Sequence, residues 1–75
     1  IKFALPQAQK VKLEIFNLLG QRVITLIDSE DYQAGLFTKV WNGQDNFGNI
    51  VPSGIYLYRM EAGDFVKINK MVMLK

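Results

Sequence analysis

The chain contains neither cysteine nor histidine among its 75 residues. Without these side chains, the Ser-His-Asp and Cys-His mechanisms and the usual zinc sites are excluded. Disulfides, which often staple small extracellular domains, are excluded as well, so the strands must close the core unaided. The two serines, Ser29 and Ser53, both lie in turn contexts. We therefore expect no enzymatic activity, no cofactor and no metal site.

Long hydrophobic runs and concentrated charge are also missing. No apolar stretch approaches the roughly 20 residues of a membrane span, so no span is expected. Nine basic and seven acidic residues give a net charge of +2, and the basic residues are scattered from Lys2 to Lys75. Nucleic-acid binding usually needs a concentrated basic face, so none is expected. The chain opens in mid-pattern without a signal peptide, and we interpret it as part of a longer protein.

What the sequence does contain is apolar alternation with period two, broken by turn residues at short intervals. In the second segment Val11, Leu13 and Ile15 face one way, while the residues between them are polar. Residues 28–35 are polar and are predicted to form a crossing loop, with at most a short strand. The pattern predicts one domain, residues 1–75, forming a sandwich or barrel. The predicted strands are 1–5, 10–16, 22–27, 36–41, 55–61 and 65–74.

Two groups of side chains have a functional alternative. Asp45 opens a turn-rich loop that could hold calcium, but a single carboxylate is few for a hard cation, and a type I turn with Gly48 in the glycine position fits better. Aromatic side chains could line a carbohydrate-binding face, although a domain this small needs most of them in its core. Phe47, in a turn, and Phe16 are the best candidates for an external contact. The other aromatic candidates are Phe37, Trp41, Tyr56, Tyr58 and Phe65.

Three stretches together resemble known families. Residues 41–59, WNGQDNFGNIVPSGIYLYR, resemble the Ig-like domain of flagellar hook-capping proteins. They resemble more closely the C-terminal sorting domains of type IX (Por) secretion cargo in the Bacteroidetes and their relatives. KVKLEIFNLLGQRVITLID looks like the first hairpin of that second family, and EAGDFVKINKMVMLK looks like its terminal hairpin.

The resemblance implies an all-β, immunoglobulin-like β-sandwich of six to seven mostly antiparallel strands, with a non-catalytic role. It implies a secreted or cell-surface location, reached through the periplasm and outer membrane. The implied partners are the outer-membrane secretion machinery and an upstream catalytic or binding domain of the same protein. The terminal strand would present an exposed edge, with basic residues on one face and apolar residues on the other. The residues implied in recognition are Gly54, Tyr56, Gly63, Phe65, Lys67, Lys70, Met71, Val72, Met73, Leu74 and Lys75.

Two positions depart from the pattern of the family. Lys39 stands where an apolar residue is usual, so either a bulge re-aims the strand or the lysine stem lies along the core. Asn42 replaces the common Asp, which weakens the calcium interpretation further. Sorting in type IX secretion is the main hypothesis. The alternatives are a structural Ig-like spacer or hook-capping-type domain, and a carbohydrate-binding module.

Overall fold

The computed structural model describes residues 1–74, which form two antiparallel sheets. One sheet has two strands in the order β1-β4, and the other has four in the order β3-β2-β5-β6. The described part of the chain therefore confirms an all-β architecture of six strands. The strands are β1 (Lys2–Leu5), β2 (Gln9–Phe16), β3 (Arg22–Tyr32), β4 (Gly35–Thr38), β5 (Gly54–Ala62) and β6 (Phe65–Met73).

The core lies between the two sheets and follows the predicted alternation. Val11, Leu13 and Ile15 of β2 are fully buried. One cluster joins β1 to β2, β3 and β5, and it includes Phe3, Leu5 and Met60. A second cluster is centred on Ile15, Trp41 and Tyr56. Because the apolar side chains of β2 point inward at every second position, this strand contributes buried residues to both clusters.

Strand β3 is longer than the sequence predicts. It has eleven residues against eight in β2, and its register with β2 shifts at three points. Each shift adds one residue to β3, which is the signature of a β-bulge. Ser29 has φ 52°, a left-handed backbone that is uncommon outside glycine. Residues 28–32 thus belong to β3, which confirms the short strand allowed within the predicted loop 28–35 and limits the loop itself to residues 33–34.

Strand β4 is shorter than predicted, because it ends at Thr38 instead of continuing to Trp41. Lys39 still exchanges main-chain hydrogen bonds with Ile1: its N–H donates to the Ile1 carbonyl at 2.8 Å, and its carbonyl accepts from the Ile1 amino group at 2.9 Å. The Lys39 side chain is half-buried and Val40 is exposed. Leaving the strand at this point allows Trp41 to turn back onto the second core cluster.

Candidate functional site

Strand β6 forms one edge of the four-stranded sheet, as predicted for the terminal strand. It pairs with β5 on one side through nine consecutive positions, from Ala62 opposite Phe65 to Gly54 opposite Met73, without a register shift. β5 itself lies between β2 and β6 and is therefore a central strand of the sheet. The other side of β6 is an edge of the sheet, and edges of this kind are templates for strand addition.

The hairpin before β6 determines which backbone groups face that edge. Gly63 has φ 60° at the first central position of a two-residue turn, where a type II′ turn requires glycine. The closing pair Ala62–Phe65 is then hydrogen-bonded, and hydrogen-bonded pairs alternate along the ladder. The backbone groups of Val66, Ile68, Lys70 and Val72 therefore point to the free side. Consistent with this, the Lys70 N–H donates to Asn69 Oδ1 at 2.9 Å instead of to β5.

The two lysines of β6 lie on opposite faces of the sheet. Lys67 is paired with the buried Met60 and shares its core-facing side, whereas Lys70 is paired with Leu57 on the outer side. The expectation of one basic and one apolar face is therefore wrong. A spacing of three residues already implies this, because side chains alternate between faces with period two.

The outer face of β6 is mainly apolar and open to solvent. Ile68 is 61% exposed and Val72 is 64% exposed, and Val66, Lys70 and Leu74 are exposed as well. On the other face, Met71 and Met73 are half-buried against the cluster around Trp41. Phe65, at the start of the strand, is exposed. Of the predicted recognition residues, Lys75 lies outside the described part of the chain.

Tyr56 occupies a different environment from the other predicted recognition residues. It is buried, and its ring meets Trp41 edge-on with centroids 5.0 Å apart. Its hydroxyl donates to the Pro52 carbonyl at 2.6 Å. Gly54 begins β5 two residues earlier. These contacts hold the start of β5, the strand that pairs with β6, in position. Because Tyr56 is buried, it has little accessible surface with which to contact a partner.

The Asp45 loop is a closed hydrogen-bonded turn. Asp45 Oδ1 accepts from the N–H groups of Phe47 and Asn49, each at 2.9 Å, and the Asp45 carbonyl accepts from Gly48 at 3.1 Å. Gly48 has φ 81°, which agrees with its predicted place in the turn. In the part of the chain that the structure describes, no group of three or more acidic side chains is placed to hold an ion. The turn interpretation is the one that these contacts support.

The same loop also covers part of the opposite edge of the sheet. The N–H of Asn46 donates to the Val23 carbonyl, and Asn46 Oδ1 accepts from the N–H of Thr25, both at 3.2 Å. Trp41 Nε1 donates to the Gln44 carbonyl at 2.8 Å and anchors the base of the loop. The edge at β3 is therefore partly occupied by the chain itself, in contrast to the edge at β6.

One charged residue is buried where the pattern predicts a solvated face. Glu14, on the outer side of β2, is only 6% exposed. Its Oε2 lies 3.4 Å from Arg22 Nη1, and its Oε1 lies 3.8 Å from Arg59 Nη1. Arg59 also contacts Glu61. The two arginines, from the strands on either side, cover the carboxylate and compensate its charge.

The aromatic side chains divide between the core and the surface. Phe47 is 88% exposed at the tip of the Asp45 loop, as predicted. Phe16 is half-buried, and Trp41 and Tyr56 are in the core. A second aromatic cluster inside the sandwich joins Phe3, Tyr32 and Phe37. Most of the rings that could have lined a carbohydrate-binding face therefore pack inward.

Among residues 1–74, no helix is long and apolar enough to cross a membrane. A family model described as the FlgD Ig-like domain matches residues 1–64. The match confirms the expected immunoglobulin-like fold and the resemblance to hook-capping Ig-like domains. It ends inside the β5–β6 hairpin, so β6 lies beyond it. No curated protein and no solved structure matches the chain.

Proposed function

The chain belongs to the FlgD Ig-like domain family, and from this premise we propose that it is a non-catalytic sorting and anchoring module. In this role it directs a linked cargo through type IX secretion to the cell surface. Its partners are the outer-membrane secretion machinery and an upstream catalytic or binding domain. β6 is the part that the machinery recognises, and the sandwich of β1–β5 holds it in position.

The observation that carries the proposal is the free edge of β6. A machine that exports many cargoes must recognise something that cargoes share, and main-chain groups along a strand edge are independent of side-chain identity. The edge offers the backbone groups of Val66, Ile68, Lys70 and Val72 in one unbroken row. Exposed apolar side chains beside this row, such as Ile68 and Val72, add contact area for a partner.

The test is export of a periplasmic reporter fused to the N-terminal side of this chain, in a host that performs type IX secretion. We expect the fusion to reach the cell surface. Ile68→Pro removes a backbone donor from the free side of β6 and leaves the ladder to β5 intact, a position where edge strands tolerate proline. We expect Ile68→Pro to lower the surface-exposed fraction at least tenfold.

Ile68→Val is the matched control, because it shortens the side chain and keeps the donor. Both variants must keep the buried Trp41 fluorescence of the parent, which shows that the sandwich has formed. Equal export of the two variants contradicts recognition of the edge. Unchanged export of the native protein after deletion of residues 65–75 contradicts the sorting function altogether.

A structural Ig-like spacer or hook-capping-type domain is the second candidate. It is favoured by the family match itself, which covers the sandwich up to Asp64 and needs no contribution from β6. For a spacer, we expect Ile68→Pro and Ile68→Val fusions to be exported alike, while deletion of the whole module alters the assembly or spacing of the parent protein.

A carbohydrate-binding module has weaker support, since the exposed rings of Phe47 and Phe65 lie on different elements and most other candidates pack inward.

A further inference from the structure

Beyond the sorting function, we propose that β6 pairs with β6 of a second copy of this chain when the edge is not bound by the secretion machinery, since the edge holds one partner at a time. The two strands run antiparallel about a two-fold axis at Asn69, and the two four-stranded sheets become one sheet of eight strands. Such an isologous contact closes on itself, since each copy contributes the same edge.

The two edges of the four-stranded sheet differ in how open they are to strand addition. β3 has three bulges, a left-handed residue at Ser29, and the Asn46 contacts along Val23 and Thr25. Bulges and covering loops are the devices by which proteins block strand addition. β6 has nine residues in unbroken register and contains no proline and no bulge. The β3 edge is therefore partly blocked. β6 carries Lys67 and Lys70, which also oppose pairing where they meet a like charge, but it has no bulge.

The positions of Lys67 and Lys70 in β6 favour one register of self-pairing. A two-fold axis perpendicular to the sheet places residues of the same face opposite each other. An axis at Lys67 or Lys70 would set a lysine against its own copy, which is destabilising. An axis at Asn69 pairs all nine residues of β6 and sets Lys67 against Met71 and Lys70 against Ile68. An axis at Ile68 also separates the lysines, but it leaves Val72 and Met73 without partners in the copy's β6.

The free backbone groups of β6 can form hydrogen bonds across the axis in this register. In the Asn69 register, Ile68 faces Lys70 and Val66 faces Val72 of the copy. All four have their backbone groups on the free side, so each of these pairs can be hydrogen-bonded. On the outer face, the exposed valines and Ile68 of the two copies meet and lose contact with water. Lys70 exchanges its bond to Asn69 Oδ1 for a main-chain bond across the axis.

An interface of this kind is small. One pair of edge strands buries less than the roughly 1,200 Å² below which complexes are weak and transient. We therefore expect a dimer that dissociates readily, and the experiment must trap it. The chain has no cysteine of its own, so a single introduced thiol reports on one position.

The experiment is oxidation of the purified Asn69→Cys chain, followed by a non-reducing gel. Asn69 meets itself across the axis in a non-hydrogen-bonded pair, with Cα atoms about 4.5 Å apart, which is within disulfide range. The control is Ile68→Cys. In this register Ile68 faces Lys70 of the copy, so the two introduced thiols are offset by two residues, which is about 7 Å along the strand in addition to the spacing between the strands. We expect the Asn69→Cys chain to cross-link at least tenfold faster than the Ile68→Cys chain.

A charge series gives a second measurement. Ile68→Glu places a carboxylate opposite Lys70 of the copy, and Ile68→Lys places an ammonium there. In sedimentation at high concentration, we expect the glutamate variant to associate at least several-fold more strongly than the lysine variant. The Val66→Glu and Val66→Lys pair, opposite Val72, should show a much smaller difference. Equal cross-linking of the Ile68→Cys and Asn69→Cys chains, or association that is insensitive to the sign of the charge at position 68, overturns the proposal.

Discussion

At the scale of single residues, Tyr56 links the turn-rich loop to the sheet. Its hydroxyl binds the Pro52 carbonyl, while its ring packs against Trp41. Pro52 itself is exposed and the hydrogen bond is part-buried, so its loss is expected to cost about the net value of one hydrogen bond. Tyr58, two residues on, has only a long contact of 3.5 Å from Asn69. The two tyrosines provide a matched pair.

Tyr56→Phe is expected to lower the free energy of unfolding by about 1 kcal/mol, because it removes one part-buried hydrogen bond and keeps the ring. Tyr58→Phe is expected to change it by less than about 0.5 kcal/mol. Urea unfolding followed by Trp41 fluorescence measures both. An equal effect of the two substitutions would contradict the role given to the Pro52 contact.

Residue burial could be predicted where it follows from one strand alone. Val11, Leu13 and Ile15 alternate with polar residues, and all three lie inside as predicted. Glu14 belongs to the same strand and obeys the same period, yet it is buried. Its cover comes from Arg22 and Arg59 on the two neighbouring strands. The local pattern of β2 does not indicate which strands are its neighbours or in which register they pair.

At the scale of elements, the boundaries of β3 and β4 show where the pattern fails. Period two predicts a strand only while each residue has one partner, and each bulge in β3 inserts a residue that breaks the alternation. Residues 28–32 therefore look like a polar loop in the sequence, although Glu30, Asp31 and Tyr32 are paired with β2. β4 ends early because Trp41 is drawn into the core cluster with Ile15 and Tyr56. The local patterns of β1, β2, β5 and β6 are sufficient to predict the bounds of these four strands to within one residue.

The sequence predicts which strand forms the candidate site, but not the arrangement of its side chains and backbone groups. The sequence places the last strand after a glycine hairpin, and the structure confirms it as an edge. The hairpin turn decides which backbone groups of β6 face away from β5. That β6 is an edge strand depends on the pairing of β5 with β2, which the local pattern of β6 does not contain. The recognition role of its residues stays a prediction.

The Asp45 loop gives a prediction at the same scale. Asp45→Ala removes an acceptor from two N–H groups and is expected to destabilise the chain by about 1–2 kcal/mol. Asp45→Asn keeps a side-chain oxygen and should cost less than half as much. Thermal unfolding of both variants measures the difference. Millimolar calcium should leave the melting temperature of the parent unchanged, and a clear rise would revive the calcium-site interpretation.

At the scale of the whole molecule, stability depends on few residues. A chain of 75 residues has a free energy of unfolding of about 4–11 kcal/mol by the usual per-residue range. There are no disulfides to add to it. Leu13 is among the largest fully buried side chains, and it contacts the cluster that joins the two sheets. Loss of this one side chain therefore affects both layers of the sandwich.

Leu13→Ala is expected to cost about 2–5 kcal/mol, through lost burial and the cavity left behind. The loss is a large fraction of the total, so we expect a marked fall in the denaturant midpoint. Leu19→Ala, at a position 84% exposed, should stay within about 0.5 kcal/mol of the parent. Chemical denaturation with fluorescence detection compares the two. A midpoint for Leu13→Ala close to that of Leu19→Ala would contradict the placement of the core.

The unequal edges of the four-stranded sheet also limit how far copies of the molecule can aggregate through it. Fibril growth through a sheet needs an unpaired strand edge after every addition, and a unit with two open edges provides one each time. Here the edge that a joined pair offers next is the bulged, loop-covered margin of β3. If two copies join through β6, further growth by this sheet would have to use the bulged edge of β3, which is the less favourable of the two edges for strand addition.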